Sequence, residues 1–192
     1  PSMAYGYNLR MTPLQTLNFY NAIANDGEMV KPRFIKSVKE FSREVEVFEK
    51  EVTNQKICSD KTLGEIREIL KNVVVRGTGK RMYSENFSMA GKTGTARLDY
   101  GNYEEWLKDR KYVSSFAGYF PADNPKYSCI VVINKPSTKI GIYGADVSGP
   151  VFKRIAQKIY TETPLIDTIE SLEVVDVKAD EDYESFYKMA QL

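Results

Sequence analysis

Two β-type runs, KYVSSFAGYF at residues 111–120 and KYSCIVVINK at residues 126–135, lie on either side of Pro121-Ala122-Asp123-Asn124-Pro125. Aromatic and β-branched residues fill both runs, and the segment between them is made of turn formers, so the stretch predicts an antiparallel pair of strands. Helical signals surround it. Thr12-Pro13-Leu14-Gln15 has the form of a capping box with proline at the first helical position. Leu14, Leu17, Asn18, Asn21 and Ala22 follow on turning faces, with Gly27 as the stop. Ser59 caps a second helix, in which Leu63, Ile66, Ile69, Leu70 and Val73 recur at helical spacing before Gly77-Thr78-Gly79 ends it. Gly149-Pro150 introduces a last one, with Val151, Phe152, Ile155, Ala156 and Ile159 on one apolar face ahead of Pro164. Between the first two helices, RFIKSVKEF and EVEVFEK alternate around Ser42-Arg43 and predict an exposed hairpin.

Composition narrows the chemistry. The 192 residues, 42% of them hydrophobic and 28% charged, are enough for one core. Residues 1–163 are read as one domain. Residues 164–192 are compositionally separate, an acidic extension or linker: eight acidic residues against Lys178 and Lys188 give it −6, leaving +7 for the rest out of a formal net charge of +1. That balance supplies no overall basic field for nucleic acid. The chain has no histidine, which removes the commonest general base, the commonest zinc ligand and every Ser-His-Asp triad. Cys58 and Cys129 form no disulfide framework and match no metal knuckle, and Cys129, inside YSCIVVI, reads as a buried structural thiol. Neither a metal nor a cofactor is expected. No apolar stretch reaches bilayer-spanning length, and no signal peptide is visible at the start; a chain beginning at Pro1 reads as a piece cut from something longer.

The segment MAGKTGTARL, Met89 to Leu98, carries the chemistry, and it has two readings. A nucleotide-binding loop requires a glycine five positions before the Gly-Lys-Thr and a helix directly after the lysine. Position 86 is asparagine, and Thr93-Gly94-Thr95-Ala96 is β-compatible where that helix would begin. Gly77-Thr78-Gly79-Lys80 lacks the earlier glycine too. The other reading makes Phe87 to Ala96 an edge strand whose Lys92, Thr93, Gly94 and Thr95 line a groove. The lysine presents a fixed positive charge, the glycine lets a substrate backbone lie close, and threonine supplies a hydroxyl and a main-chain N–H. This combination suits an anionic acyl donor.

Several segments stand in one order: Gly6-Tyr7, Met11-Thr12-Pro13-Leu14-Gln15, NFYNAIANDGEMVKPRFI, VVVRGTGK, MAGKTGTARL, SFAGYFPADNPKYSCIVVI and GPVFKRIAQKIY. Together they resemble, over about Pro1 to Tyr160, the C-terminal half of the transpeptidase domain of class B penicillin-binding proteins, with the cell-division subgroup as the first expectation. The resemblance implies an α+β fold shared with serine β-lactamases, an antiparallel sheet with about three of five strands present here, packed with helices, and a small hairpin. It implies a peptidoglycan D,D-transpeptidase that takes D-Ala-D-Ala stem peptides, is acylated by β-lactams, works among other cell-wall synthesis proteins and faces the extracytoplasmic side from a membrane anchor outside this chain.

Of the family's three active-site motifs, S-x-x-K, S-x-N and K-T-G, the resemblance carries over only the last. Lys92 would orient the substrate carboxylate, the Thr95 hydroxyl would donate to it, and the Thr95 N–H would be one of two oxyanion donors. Ser185-Phe186-Tyr187-Lys188 and Ser84-Glu85-Asn86 match the other two patterns, but in the wrong order and spacing, and are read as chance. The chain alone is therefore expected to be inactive, and its bared apolar faces to drive self-association or rearrangement. Two rivals stand beside this reading: a serine β-lactamase-like hydrolase and a non-catalytic binding module of the same fold. The loop from Leu98 to Lys111, with Tyr100, Tyr103 and Glu104-Glu105-Trp106, reads as surface, and Arg76, Lys80 and Arg81 as a solvated turn.

Overall fold

The computed structural model describes residues 9–98, 104, 107 and 110–162. Gly6, Tyr7, Tyr100, Tyr103, Glu105, Trp106, Ser185 and the acidic segment 164–192 lie outside them. By backbone proximity the chain divides into Pro1–Lys158 and Ile159–Leu192, and of the second unit only residues 159–162 are described.

The first helix, α1, runs Pro13–Ala24. Its capping box closes as the letters predict: the Thr12 hydroxyl accepts from Gln15 N at 3.2 Å and the Gln15 amide oxygen accepts from Thr12 N at 2.8 Å, satisfying two donors that a helix start leaves open. At the other end Arg67 reaches over from α2, Asp60–Val75. Its guanidinium donates to Ile23 O at 2.8 Å and Ala24 O at 2.9 Å, placing positive charge on the carbonyl end of α1. Ser59 caps α2 by accepting from Thr62 N at 3.2 Å.

Between the helices the chain makes two small antiparallel pairs. β1, Met29–Val30, pairs with β4, Val52–Asn54; neither was foreseen, because two- and three-residue strands leave no periodicity to read. β2, Ser37–Glu40, and β3, Arg43–Val47, form the expected hairpin. Its turn places Phe41 and Ser42 at φ 47° and 69°, successive left-handed residues whose twist matches that of a two-residue hairpin. Every residue of β3 is exposed and Phe41 is 98% exposed.

The main sheet has the order β5, β6, β7, all antiparallel. β5 is Ala90–Arg97, β6 Tyr112–Phe120 and β7 Tyr127–Asn134. β5 starts at Ala90, three residues later than expected. The register that sets Ala90 opposite Tyr119 would set Ser88 opposite Pro121, which has no N–H to continue the ladder. Central β6 is covered on both faces. Tyr119 and Ala90 pack with Ile23 of α1 and Leu63 and Leu70 of α2. On the other face Phe116 and Phe120 meet Phe152, with ring centroids 4.7 and 5.8 Å apart. Phe152 belongs to α3, Ser148–Glu162. This helix's apolar face is narrower than the periodicity implies, since Phe152 and Ala156 are fully buried while Val151 and Ile155 are 38% and 37% exposed. The Tyr119 hydroxyl lies buried without a partner among the described residues, and burial pushes its pKa up to about 12.

Two smaller expectations meet the structure differently. Cys129 is half-buried, not enclosed, although burial still raises its thiol pKa. Glu104 and Leu107 sit in helical backbone within the stretch read as a loop. Arg76, Lys80 and Arg81 are exposed, as the reading of a solvated turn predicts, and Arg81 also pairs with Asp146. Among the described residues no helix is long and apolar enough to cross a membrane.

Candidate active site

Lys92, Thr93, Gly94 and Thr95 all lie on β5, in a strand and not at the mouth of a helix. The phosphate-loop reading is thereby excluded, since its anion cradle is the start of a helix. β5 pairs with β6 on one side, and among the described residues no strand pairs with the other. The ladder fixes which groups that open side presents. Leu98 N donates to Lys111 O at 3.0 Å in register with Ala90↔Tyr119, so the even-numbered residues of β5 bond to β6. Alternation then turns the N–H and C=O of Thr93 and Thr95 toward the open edge.

The side chains divide by parity. Lys92 and Gly94 share one face with Ala117 and Ser115, whereas Thr93 and Thr95 share the other with Phe116 and Ser114. The four residues therefore do not line one wall of a groove; they meet at its rim. The Lys92 chain bends back over that rim, where its ammonium donates to Thr93 O at 2.9 Å and to Thr93 Oγ1 at 3.2 Å. Gly94 is tight on its own side: a Cβ there would come within 2.4 Å of Ser115 Oγ. Part of what the glycine relieves is thus crowding within the sheet.

Thr95 is held from behind. Its Oγ1 accepts from Gly144 N at 3.2 Å. Gly144 lies flat on the sheet, so that an added Cβ would meet Ser115 O at 2.4 Å and Gly94 O at 2.9 Å, backbone atoms with nowhere to go. The Gly144 carbonyl in turn accepts from Ser148 Oγ at 3.2 Å and from Gly149 N at 2.8 Å. Ser148 Oγ lies 3.0 Å from Ser114 Oγ, and both serines are fully buried. A hydroxyl that accepts a backbone N–H keeps its own proton for another acceptor, so this arrangement leaves the Thr95 O–H available as a donor. Sequence reasoning missed Gly144, Ser114 and Ser148: small residues with no spacing signal, brought together from β6, the turn before α3 and the start of α3.

The second serine pattern does not join this group. Ser84 Oγ accepts from Asn86 N at 3.3 Å, closing a local turn, and both residues precede β5. Ser84 faces a cleft of about 430 Å³ shared with Val74, Ser88 and Asp123. Lys71 pairs with Asp123 there and, by its hydrogen bond first and that of Ser88 second, holds the Asp123 carboxyl below its ordinary value.

Comparison with known proteins identifies the family and the fold. The family model described as the penicillin binding protein transpeptidase domain matches residues 1–157. The chain is 32% identical over 160 residues, 82% of its length, to the peptidoglycan D,D-transpeptidase FtsI of Buchnera aphidicola, of which it covers 26%. It is 33% identical over 156 residues, 80% of its length, to the probable peptidoglycan D,D-transpeptidase PenA of Neisseria flavescens, covering 35% of it. It therefore spans roughly a quarter to a third of these relatives. Among solved structures, the transpeptidase domain of Burkholderia pseudomallei penicillin-binding protein 3 matches 85% of this chain and 46% of its own, with TM-score 0.68 and 31% identity. Penicillin-binding protein 3 of Mycobacterium tuberculosis matches 82% of this chain and 36% of its own, with TM-score 0.67 and 34% identity. The chain belongs to the penicillin-binding protein transpeptidase domain family.

Proposed function

We propose that this chain provides the K-T-G rim of a serine D,D-transpeptidase site, and that the acylating serine and its lysine come from a part of the protein outside these 192 residues. One observation carries the reading: Lys92, the Thr93 hydroxyl and the Thr95 N–H converge on the open edge of β5. A stem peptide laid along that edge presents its terminal carboxylate to the Lys92 ammonium and the Thr95 hydroxyl. Its penultimate D-Ala carbonyl then lies against the Thr95 N–H, which stabilises the oxyanion of the tetrahedral intermediate. Serine attack expels D-Ala, and an amine of a neighbouring stem takes the acyl group. β-Lactams acylate the same serine. Relatives named as peptidoglycan D,D-transpeptidases support a role in wall synthesis, which we assign to the septum, with other wall-building proteins, on the extracytoplasmic side and anchored through a segment outside these residues; protease accessibility in intact spheroplasts tests that placement. The acidic stretch 164–192 serves as an extension or linker, and deleting it should leave the amide spectrum of residues 9–158 unchanged.

Without the serine the chain forms no acyl-enzyme, and the loss of even one oxyanion donor costs about 3 kcal/mol of barrier. The chain alone should take up no fluorescent penicillin, whereas the same chain expressed with the protein's upstream half should be labelled stoichiometrically. Labelling of the chain alone, on Ser185 or Ser84, would defeat the proposal. The exposed Phe19, Phe34 and Phe41 give the isolated chain surface for self-association, which light scattering showing a monomer at high concentration would contradict.

A further inference from the structure

Two segments far apart in the sequence meet the same face of β5. The turn 77–82, which joins α2 to the short 3-10 helix Lys80–Met82, reaches it through Thr78, whose Oγ1 lies 3.2 Å from Thr93 Oγ1. The loop 141–147 reaches it just ahead of α3, where Gly144 N donates to Thr95 Oγ1 at 3.2 Å. Away from the strand the two segments are fastened to each other. Arg81 pairs with Asp146. Met82, fully buried, packs on Gly149, where an added Cβ would meet its sulfur at 2.4 Å, and Lys153 Nζ donates to Tyr83 O at 2.7 Å. The last two ties end in α3, whereas the ion pair ends in the loop itself. Asp146 is also held from its own side, since its N–H donates to Tyr143 O at 2.9 Å; its side chain is 24% exposed against 71% for Arg81.

The loop presses on one peptide group. A Cβ added to Gly144 would lie 2.9 Å from Gly94 O and 3.1 Å from Gly94 N. Gly94 C=O and Thr95 N–H belong to a single planar unit, so whatever fixes the tilt of that carbonyl also fixes the aim of the N–H on the open edge of β5. The connection therefore runs from Arg81 through Asp146 and Gly144 to the Gly94–Thr95 peptide.

We propose that Arg81 is a positioning residue for the Thr95 N–H: by holding Asp146 it keeps the 141–147 loop seated on the sheet, and the seated loop sets the orientation of the oxyanion donor. Its functional half rests on the reading of β5 as a transpeptidase edge. The mechanical half concerns this chain alone.

The test has two arms. In the first, amide hydrogen exchange is followed at Gly144 in the full chain for Arg81→Gln, Asp146→Asn and the double variant. Each single change should speed exchange about fivefold, the upper end for an ion pair of this exposure, and the double variant no more than either alone, because both remove the same tie. Arg81→Lys should keep most of the protection, while Phe116 in the central strand should exchange as before and Tm should stay within a few degrees. Unchanged exchange at Gly144, or effects that simply add, would overturn the proposal. In the second arm, the chain expressed with the protein's upstream half is acylated by a penicillin. Arg81→Gln should lower the acylation rate constant by about the same factor and leave the dissociation constant of the first complex unchanged, since an oxyanion donor acts in the transition state. A normal rate constant, or a loss confined to the dissociation constant, would refute the role of Arg81 and leave the K-T-G reading standing. If the unmodified two-part protein is not acylated at all, both readings fall.

Discussion

Two hydrogen-bonded chains grip the same strand from opposite ends of the burial scale. Ser114, Ser148, Gly144 and Thr95 make one, with both serines fully buried. Lys92, Thr93 and Thr78 make the other, with its terminal members in water. In the first chain Ser114, Ser148 and Gly144 are buried, and a link broken among them leaves a polar group with no water to replace it. In the exposed chain water can substitute for any member, so its links add little to stability and remain free to change partners when a ligand arrives. A fold that needs a rigid strand and an adaptable rim gets the first from buried hydroxyls behind Thr95 and the second from exposed ones in front of Thr93.

The comparison breaks most sharply at Gly144. Gly144→Ala drives a methyl into Ser115 O and Gly94 O, and should destabilise the chain by about 3 kcal/mol, the upper range for overpacking, in urea unfolding; a change under about 1 kcal/mol would mean the loop is not seated on the sheet. Ser148→Ala comes next. It strands the Ser114 hydroxyl and releases Gly144 O from one donor, and should cost about 2 kcal/mol, with Ser148→Thr recovering part of it if the methyl is accommodated.

The smallest effect belongs to an exposed ion pair. Asp123 is held below its ordinary pKa chiefly by Lys71, with side chains 64% and 43% exposed, so after solvent screening the pair is worth less than about 1 kcal/mol. Because the folded value is the lower one, the contribution is present above the unfolded carboxyl pKa, about 4, and fades as pH falls through the folded one. Asp123→Asn should therefore differ from the unmodified chain at neutral pH and converge with it in acid. A gap that persisted at low pH would assign the effect to packing.

Where signals are local, the letters suffice. The Thr12 to Gln15 box closes α1, Ser59 caps α2, and the two long runs 111–120 and 126–135 pair as β6 and β7. Strands β1 and β4 escape because they owe their pairing to a loop that returns, not to alternation. At the site, MAGKTGTARL was legible as an edge strand bearing Lys92, Thr93, Gly94 and Thr95. Its starting point was not, because it depends on Pro121 lying opposite Ser88 in a ladder between distant segments.

Sequence alone determined the kind of elements and the charged strand at the centre, since capping, periodicity and turn chemistry act between neighbours along the chain. Only the tertiary structure decided that Lys92 and Thr95 face opposite ways yet share one open edge, and that Thr78 stands beside them while Ser114 and Ser148 stand behind. Those relations join residues from separate elements through strand register and close packing, which no single stretch of sequence contains.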